Sequence, residues 1–138
     1  MEYLRRRMRN WRFRRATRNL RRIFRPLVEE RARGFESVRH TLEGRGWTFT
    51  SGPGGVAPVQ AHGRLPSGEA FYFRCRWDAC TLRVRAGVDP ESSELIRAPD
   101  WEAEWARDSW VRFDASWAEP ADVLDALTEL EARYRAAS

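Results

Sequence analysis

The stretch FYFRCRWDACTLRVR, residues 71–85, decides the fold. Successive side chains of a strand point to opposite faces. Phe71, Phe73, Cys75 and Trp77 therefore share one side, and Tyr72, Arg74 and Arg76 the other. After a tight turn near Asp78 the pattern resumes, with Cys80, Leu82 and Val84 inward and Thr81, Arg83 and Arg85 outward. Alternation sustained through both halves reads as a β-hairpin with an apolar inner face. Its outer face carries Arg74, Arg76, Arg83 and Arg85 beside Tyr72.

Toward the N-terminus, Val59–Leu65 reads as a strand and Pro66-Ser67-Gly68 as the turn into the hairpin. Trp47-Thr48-Phe49-Thr50 alternates as a half-buried strand does, and Ser51–Gly55 is a turn-rich loop without phosphate-loop spacing. Before it, Val28, Phe35, Val38 and Leu42 keep helical spacing after Pro26, with Gly34 a weak point and Gly44 and Gly46 a stop. Toward the C-terminus, Val88–Ala98 reads mostly as loop, with a short strand at Leu95-Ile96. Asp100 is placed to cap a short helix carrying Trp101 and Trp105, four apart and so on one face. Trp110–Asp114 reads as a last strand with Val111 and Phe113 inward. Pro120 then opens a helix whose stripe is Val123, Leu127, Leu130 and Tyr134, with Leu124 beside it.

The expected architecture is thus α+β. A basic N-terminal helix and a second helix precede an antiparallel sheet of about four strands, and a C-terminal amphipathic helix packs on one face. At 138 residues there is room for one modest core. Residues 1–25 are read as a helical arm and 26–138 as a single small domain.

Charge is divided unevenly along this plan. Residues 1–25 hold 11 Arg against one acid (Glu2), a net +10, whereas residues 86–138 hold five Arg against 13 acids, a net −8. Such asymmetry is expected of an electrostatic binding element. All 25 basic residues are Arg, which points to a coding bias and a GC-rich genome and removes meaning from any single Arg-for-Lys choice; the default compartment is a bacterial-type cytosol. The missing lysine excludes a Walker-type phosphate loop and Schiff-base chemistry.

At 100° per residue, Phe13, Ala16, Leu20, Ile23, Phe24 and Leu27 gather on one side of a helix, with Arg14, Arg15, Arg18, Arg21, Arg22 and Arg25 opposite. Tyr3, Leu4, Met8 and Trp11 fall on the side of those arginines, so one straight helix would carry two opposed apolar stripes. Arg14, Arg18, Arg21 and Arg25 form a row about 16 Å long, suited to successive phosphates. Three readings compete: a stripe packed on the body with solvated or acid-paired arginines, a nucleic-acid interface, or an anionic membrane surface or acidic protein groove. No segment is long and apolar enough to span a membrane.

Catalytic signals are sparse. His40 and His62 lack zinc-finger spacing to Cys75 and Cys80 and read as structural or surface histidines. The cysteines read as two buried thiols in a reducing cytosol; a directly opposed pair would allow a bridge, but sequence leaves the register open. No serine sits in a nucleophile elbow. No metal or cofactor is expected.

The leading expectation is a non-catalytic, cytoplasmic protein that binds a polyanion, most simply nucleic acid of low sequence specificity. Arg14, Arg15, Arg18, Arg21, Arg22 and Arg25 make the phosphate contacts, and Arg74, Arg76, Arg83 and Arg85 with Tyr72 form a second patch. The alternative is a protein-interaction module, a small regulator, antitoxin- or immunity-like protein or assembly component, docking the arm in an acidic groove and presenting Trp101 and Trp105. Peripheral association with an anionic membrane ranks third.

Overall fold

The alternation over residues 71–85 forms the centre of a sheet. In the computed structural model, which describes residues 24–138, β3 (Ala70–Arg76) and β4 (Ala79–Arg85) are joined by the two-residue turn Trp77-Asp78. β1 (Thr48–Gly54), β2 (Val59–Arg64) and β5 (Trp101–Trp105) complete an antiparallel sheet in the order β1-β2-β3-β4-β5. Each strand pairs with its neighbour in sequence, through short turns as far as β4 and through a longer connection carrying α2 between β4 and β5. The helices are α1, described over 24–43, α2 (Ser93–Arg97) and α3 (Pro120–Ala137).

Two compact units divide the chain, Met1–Arg33 and Gly34–Ser138. In the described part of the first, Arg25 pairs with Glu29 at 3.2 Å one helical turn away, and Phe24, Leu27 and Val28 are exposed. The stripes from Tyr3 to Ile23 and the arginines at 14, 15, 18, 21 and 22 lie outside the described residues.

In the second unit, α1 ends where its glycines predict. The Gly46 N–H donates to the Glu43 carbonyl and the Trp47 N–H to the Leu42 carbonyl, with Gly46 at φ +99°. This is a Schellman stop, and it drops Trp47 beside Leu42 in the core. Phe35, Val38 and Leu42 of α1 and Val123, Ala126, Leu127 and Leu130 of α3 join the inward residues of β2, β3 and β4 in one cluster. Both helices therefore cover the same sheet face. Gly34 is more than a weak helix former. A Cβ there would stand 2.7 Å from the Pro120 ring, so glycine lets α1 approach the start of α3. Trp47 is 1% exposed, meets Phe71 edge-on at 5.1 Å and donates its indole N–H to Glu131 at 3.0 Å. A buried indole needs such a partner.

Four local expectations are corrected. There are five strands rather than about four, because residues 101–105 extend as β5 instead of forming a capped helix. Residues four apart share a face in a strand as well as in a helix, so the Trp101/Trp105 spacing does not discriminate; the full alternation Trp-Glu-Ala-Glu-Trp does. It matches the register Val84↔Trp101, Leu82↔Ala103 and Cys80↔Trp105. Trp110–Asp114 is loop rather than strand, and Val111 and Phe113 are exposed rather than inward. Leu95-Ile96 belongs to α2, whose Ser92 cap accepts from the Glu94 N–H. Finally, the register opposes Cys75 directly to Cys80, and the two are joined by a disulfide rather than standing as free thiols.

Candidate anion-binding face

The sheet face away from α1 and α3 is itself divided. At one end, Leu95 of α2 is buried with Ala70 and Tyr72, and Val88 packs against them. The Tyr72 hydroxyl donates to Gln60 at 2.8 Å, and its ring lies 4.7 Å from that of His62. His62 Nδ1 stands 3.0 Å from the Pro90 carbonyl, which can only accept, so the ring nitrogen is the donor. Tyr72 is only 5% exposed and belongs to this small second core. It is therefore not part of the exposed patch with the hairpin arginines expected from the sequence.

Two of the four hairpin arginines are neutralised locally. Arg83 lies 3.3 Å from Glu102, its cross-strand partner on β5, and Arg85 lies 3.6 Å from Glu94 while donating to the Ala98 carbonyl. Arg74 and Arg76 differ. Among the described residues neither has a carboxylate within salt-bridge distance, whereas a buried Nε without a hydrogen-bond partner is common to Arg74 and Arg83. Register keeps the like charges apart: Arg74 faces Thr81 and Arg76 faces Ala79. Directly opposed guanidiniums would repel. Here the arginines instead line an open cavity of about 360 Å³ with Arg83, Trp77, Asp78, Thr81 and Glu104.

The rim of this cavity is the hairpin tip. Trp77 leaves the pleat at φ +61°, and its ring is 52% exposed. Phe113, at φ +70°, lies 5.6 Å from it at 45° between planes. Three hydrogen bonds lock the tip to the loop before α3: the Trp77 N–H donates to Ser116 Oγ, the Ala115 N–H to the Trp77 carbonyl, and the Phe113 N–H to Asp78 Oδ1. Arg76 sits 4.9 Å over the Trp77 ring and Arg112 5.4 Å over that of Phe113.

The tryptophans singled out in the sequence go elsewhere. Trp105 is buried, meets Trp110 edge-on at 5.4 Å and donates to Glu129 at 2.7 Å; Trp101 is half-buried against Tyr134. Among the described residues the exposed tryptophans are Trp77 and Trp117. For Trp77 a signal existed: the central residue of a two-residue hairpin loop cannot keep the alternation of its strand. Trp117 carries none that we find.

Acids of the C-terminal half are occupied close to home. Arg107 bridges Asp122 and Asp125, whose hydrogen bonds hold its guanidinium more firmly charged than usual. Hydrogen bonds from Arg133 and the Trp105 indole hold the Glu129 carboxyl below the usual carboxylate value. Among the described residues no three His, Cys, Asp or Glu side chains converge as a metal site requires, and no helix is long and apolar enough to cross a membrane.

Comparison with known protein families, curated proteins and solved structures finds no match to this chain. The functional reading therefore rests on the geometry: two guanidiniums without a salt-bridge partner in an open cavity, with an aromatic rim hydrogen-bonded in place beside them. Such a face can bind phosphates or carboxylates and can offer a ring for stacking.

Proposed function

We propose that this chain is a non-catalytic polyanion-binding protein whose most fitting ligand is nucleic acid, recognised with low sequence specificity. The observation that carries the reading is the contrast within one hairpin. Arg83 and Arg85 are answered by Glu102 and Glu94, while Arg74 and Arg76 have no carboxylate within salt-bridge distance and line a cavity that also carries Asp78 and Glu104. Phosphate oxygens supply the missing partner chemistry, and contacts of that kind position a ligand without reading its bases. The Arg-rich segment of residues 1–25 adds charge to the same end of the reading.

The proposed setting is a bacterial cytoplasm, a reducing compartment in which disulfides are the exception. Cys75 and Cys80 are both fully buried, which limits attack by external thiols.

The test is a salt titration of binding to labelled DNA and RNA oligonucleotides by fluorescence anisotropy. Affinity is expected to fall log-linearly with salt. Arg74→Ala should lower the slope by about 1, whereas Arg85→Ala, already paired and hydrogen-bonded, should leave it unchanged. Absence of binding to both nucleic acids at low salt removes the reading.

A second reading, a protein-interaction module, is favoured by the exposure of Trp77, Val111, Phe113 and Trp117 in the hairpin tip and the loop before α3. Large aromatics are enriched at interface centres. A partner captured by the protein and lost in a Trp117→Ala variant, with nucleic-acid binding absent, would establish it instead.

A further inference from the structure

Trp77 and Phe113 occupy the backbone region least hospitable to large side chains. In a two-residue hairpin loop with positive φ at its first position, glycine is the residue of choice. This chain holds a tryptophan there, fixes its backbone through Ser116 and Ala115, and ties the neighbouring Asp78 to the Phe113 N–H. Strain of this kind persists only when the surroundings over-determine it, and it collects at binding sites. The strain does not serve to bury the ring, because Trp77 is 52% exposed and Phe113 43%.

We infer that this rim is a stacking site for an unpaired base, which makes the preferred ligand single-stranded nucleic acid. The inference rests on the polyanion reading above and narrows it. Three observations converge. Two tilted rings in contact, 5.6 Å between centroids and 52% and 43% exposed, meet as an angular notch that offers its outer surfaces, with a guanidinium over each ring. Bases stack on aromatic rings and on guanidinium planes alike, whatever their sequence. Trp77 also lines the cavity that holds Arg74 and Arg76, so the phosphates flanking a stacked base run onto two guanidiniums without a salt-bridge partner. Arg74 and Arg76 project from the same strand face about 6.7 Å apart along it, a step of the order of an extended single strand's phosphate spacing.

Acids share the lining. With Arg83 paired to Glu102, Arg74 and Arg76 face Asp78 and Glu104, so the lining offers local phosphate donors rather than a net positive charge, and Asp78 is already engaged by the Phe113 N–H. Glu104 lies opposite Thr81, where a carboxylate can accept from the exocyclic amine of a base. A duplex hides the faces of its bases and gains nothing from the notch, so discrimination follows from stacking alone.

The experiment compares oligo(dT) of about 12 nucleotides, within the site size of small single-strand modules, with a duplex of equal length by anisotropy at low salt. The expected result is tighter binding of the single strand. Trp77→Gly is expected to weaken it about tenfold while leaving duplex affinity unchanged, and Trp77→Phe to retain most of it. Glycine suits the loop conformation, and thermal melting of Trp77→Gly checks that it is folded. Equal loss for both ligands, or no loss for either, overturns the stacking site. Equal wild-type affinity for strand and duplex with a log-linear salt dependence leaves the polyanion reading standing and refutes this one. No binding to either ligand refutes both.

Discussion

Trp77→Gly should cost this protein little stability, although it deletes the largest side chain there is. Several terms oppose one another. Removing the ring forfeits its half-buried surface, about 1 kcal/mol, and its contact with Phe113, about 0.5–1.5 kcal/mol. The exposed Arg76 contact adds about 0.5–1 kcal/mol, and glycine's freedom in the unfolded chain another 0.5–1, roughly. Against these, relief of a bulky residue at φ +61° returns about 1–3 kcal/mol. The midpoints net to a loss of about 1.5 kcal/mol, and the extremes to between about −0.5 and 3.5 kcal/mol. Trp47→Ala is the control. That ring is 1% exposed, packs on Phe49 and Phe71 and donates to Glu131, so its removal should cost about 3–5 kcal/mol. Urea denaturation of both variants with the disulfide intact reads the difference. If Trp77→Gly costs as much as Trp47→Ala, the Trp77 ring is a structural prop, and the argument that its strain is kept for binding is wrong.

Three further outcomes follow from the structure. A Cβ on Gly63 would lie 1.9 Å from the Thr48 carbonyl oxygen and 2.9 Å from Phe49 Cα, backbone that cannot swing aside. Gly63→Ala should therefore cost about 3 kcal/mol or more and strip amide-exchange protection from β1; a near-neutral melt would contradict the β1–β2 register. The Cys75–Cys80 bridge closes a short loop, so reduction should lower stability by about 2 kcal/mol. Thiol titration of the native protein should find no free cysteine; two reactive thiols would refute the bridge.

The pH limbs have opposite signs. Glu129 is held below the usual 4.5 by Arg133 and the Trp105 indole, so its contribution is complete above that value and is lost as pH falls through its folded value. Glu129→Gln should flatten the acid limb of stability. Tyr134 is raised above the usual 10.0, first by its hydrogen bond to Glu69. Its contribution is present below pH 10 and lost as pH rises through the folded value. Tyr134→Phe should flatten the alkaline limb, and an unchanged limb in either variant would show that the named hydrogen bond is not the cause.

The candidate site was only partly legible in the chain. Alternation over residues 71–85 correctly put Arg74, Arg76, Arg83 and Arg85 on one outer face. Which of them keep their charge unanswered was not readable, because Glu102 and Glu94 arrive from β5 and α2. Tyr72 was misread for the same reason: alternation places it outward, but α2 roofs that end of the sheet and buries it. Trp101 and Trp105 were placed on a helix because two rings four apart satisfy both periodicities, and only the intervening Glu-Ala-Glu separates them. Trp77 was assigned inward by continuing the strand one residue past its end.

By itself the sequence determined what short-range chemistry controls: a hairpin set by period-two alternation, helix ends set by Gly46 and Pro120, and a chain with its arginines at the front and its acids at the back. Tertiary structure decided what depends on residues distant in sequence. Pairing of β4 with β5 and the roof of α2 divide the hairpin's arginines into two that are neutralised and two that are open. Docking of the loop before α3 holds Trp77 and Phe113 out into solvent beside the open pair. Side-chain alternation is a property of one strand, whereas compensation of a charge or exposure of a ring is a property of whatever the fold brings next to it.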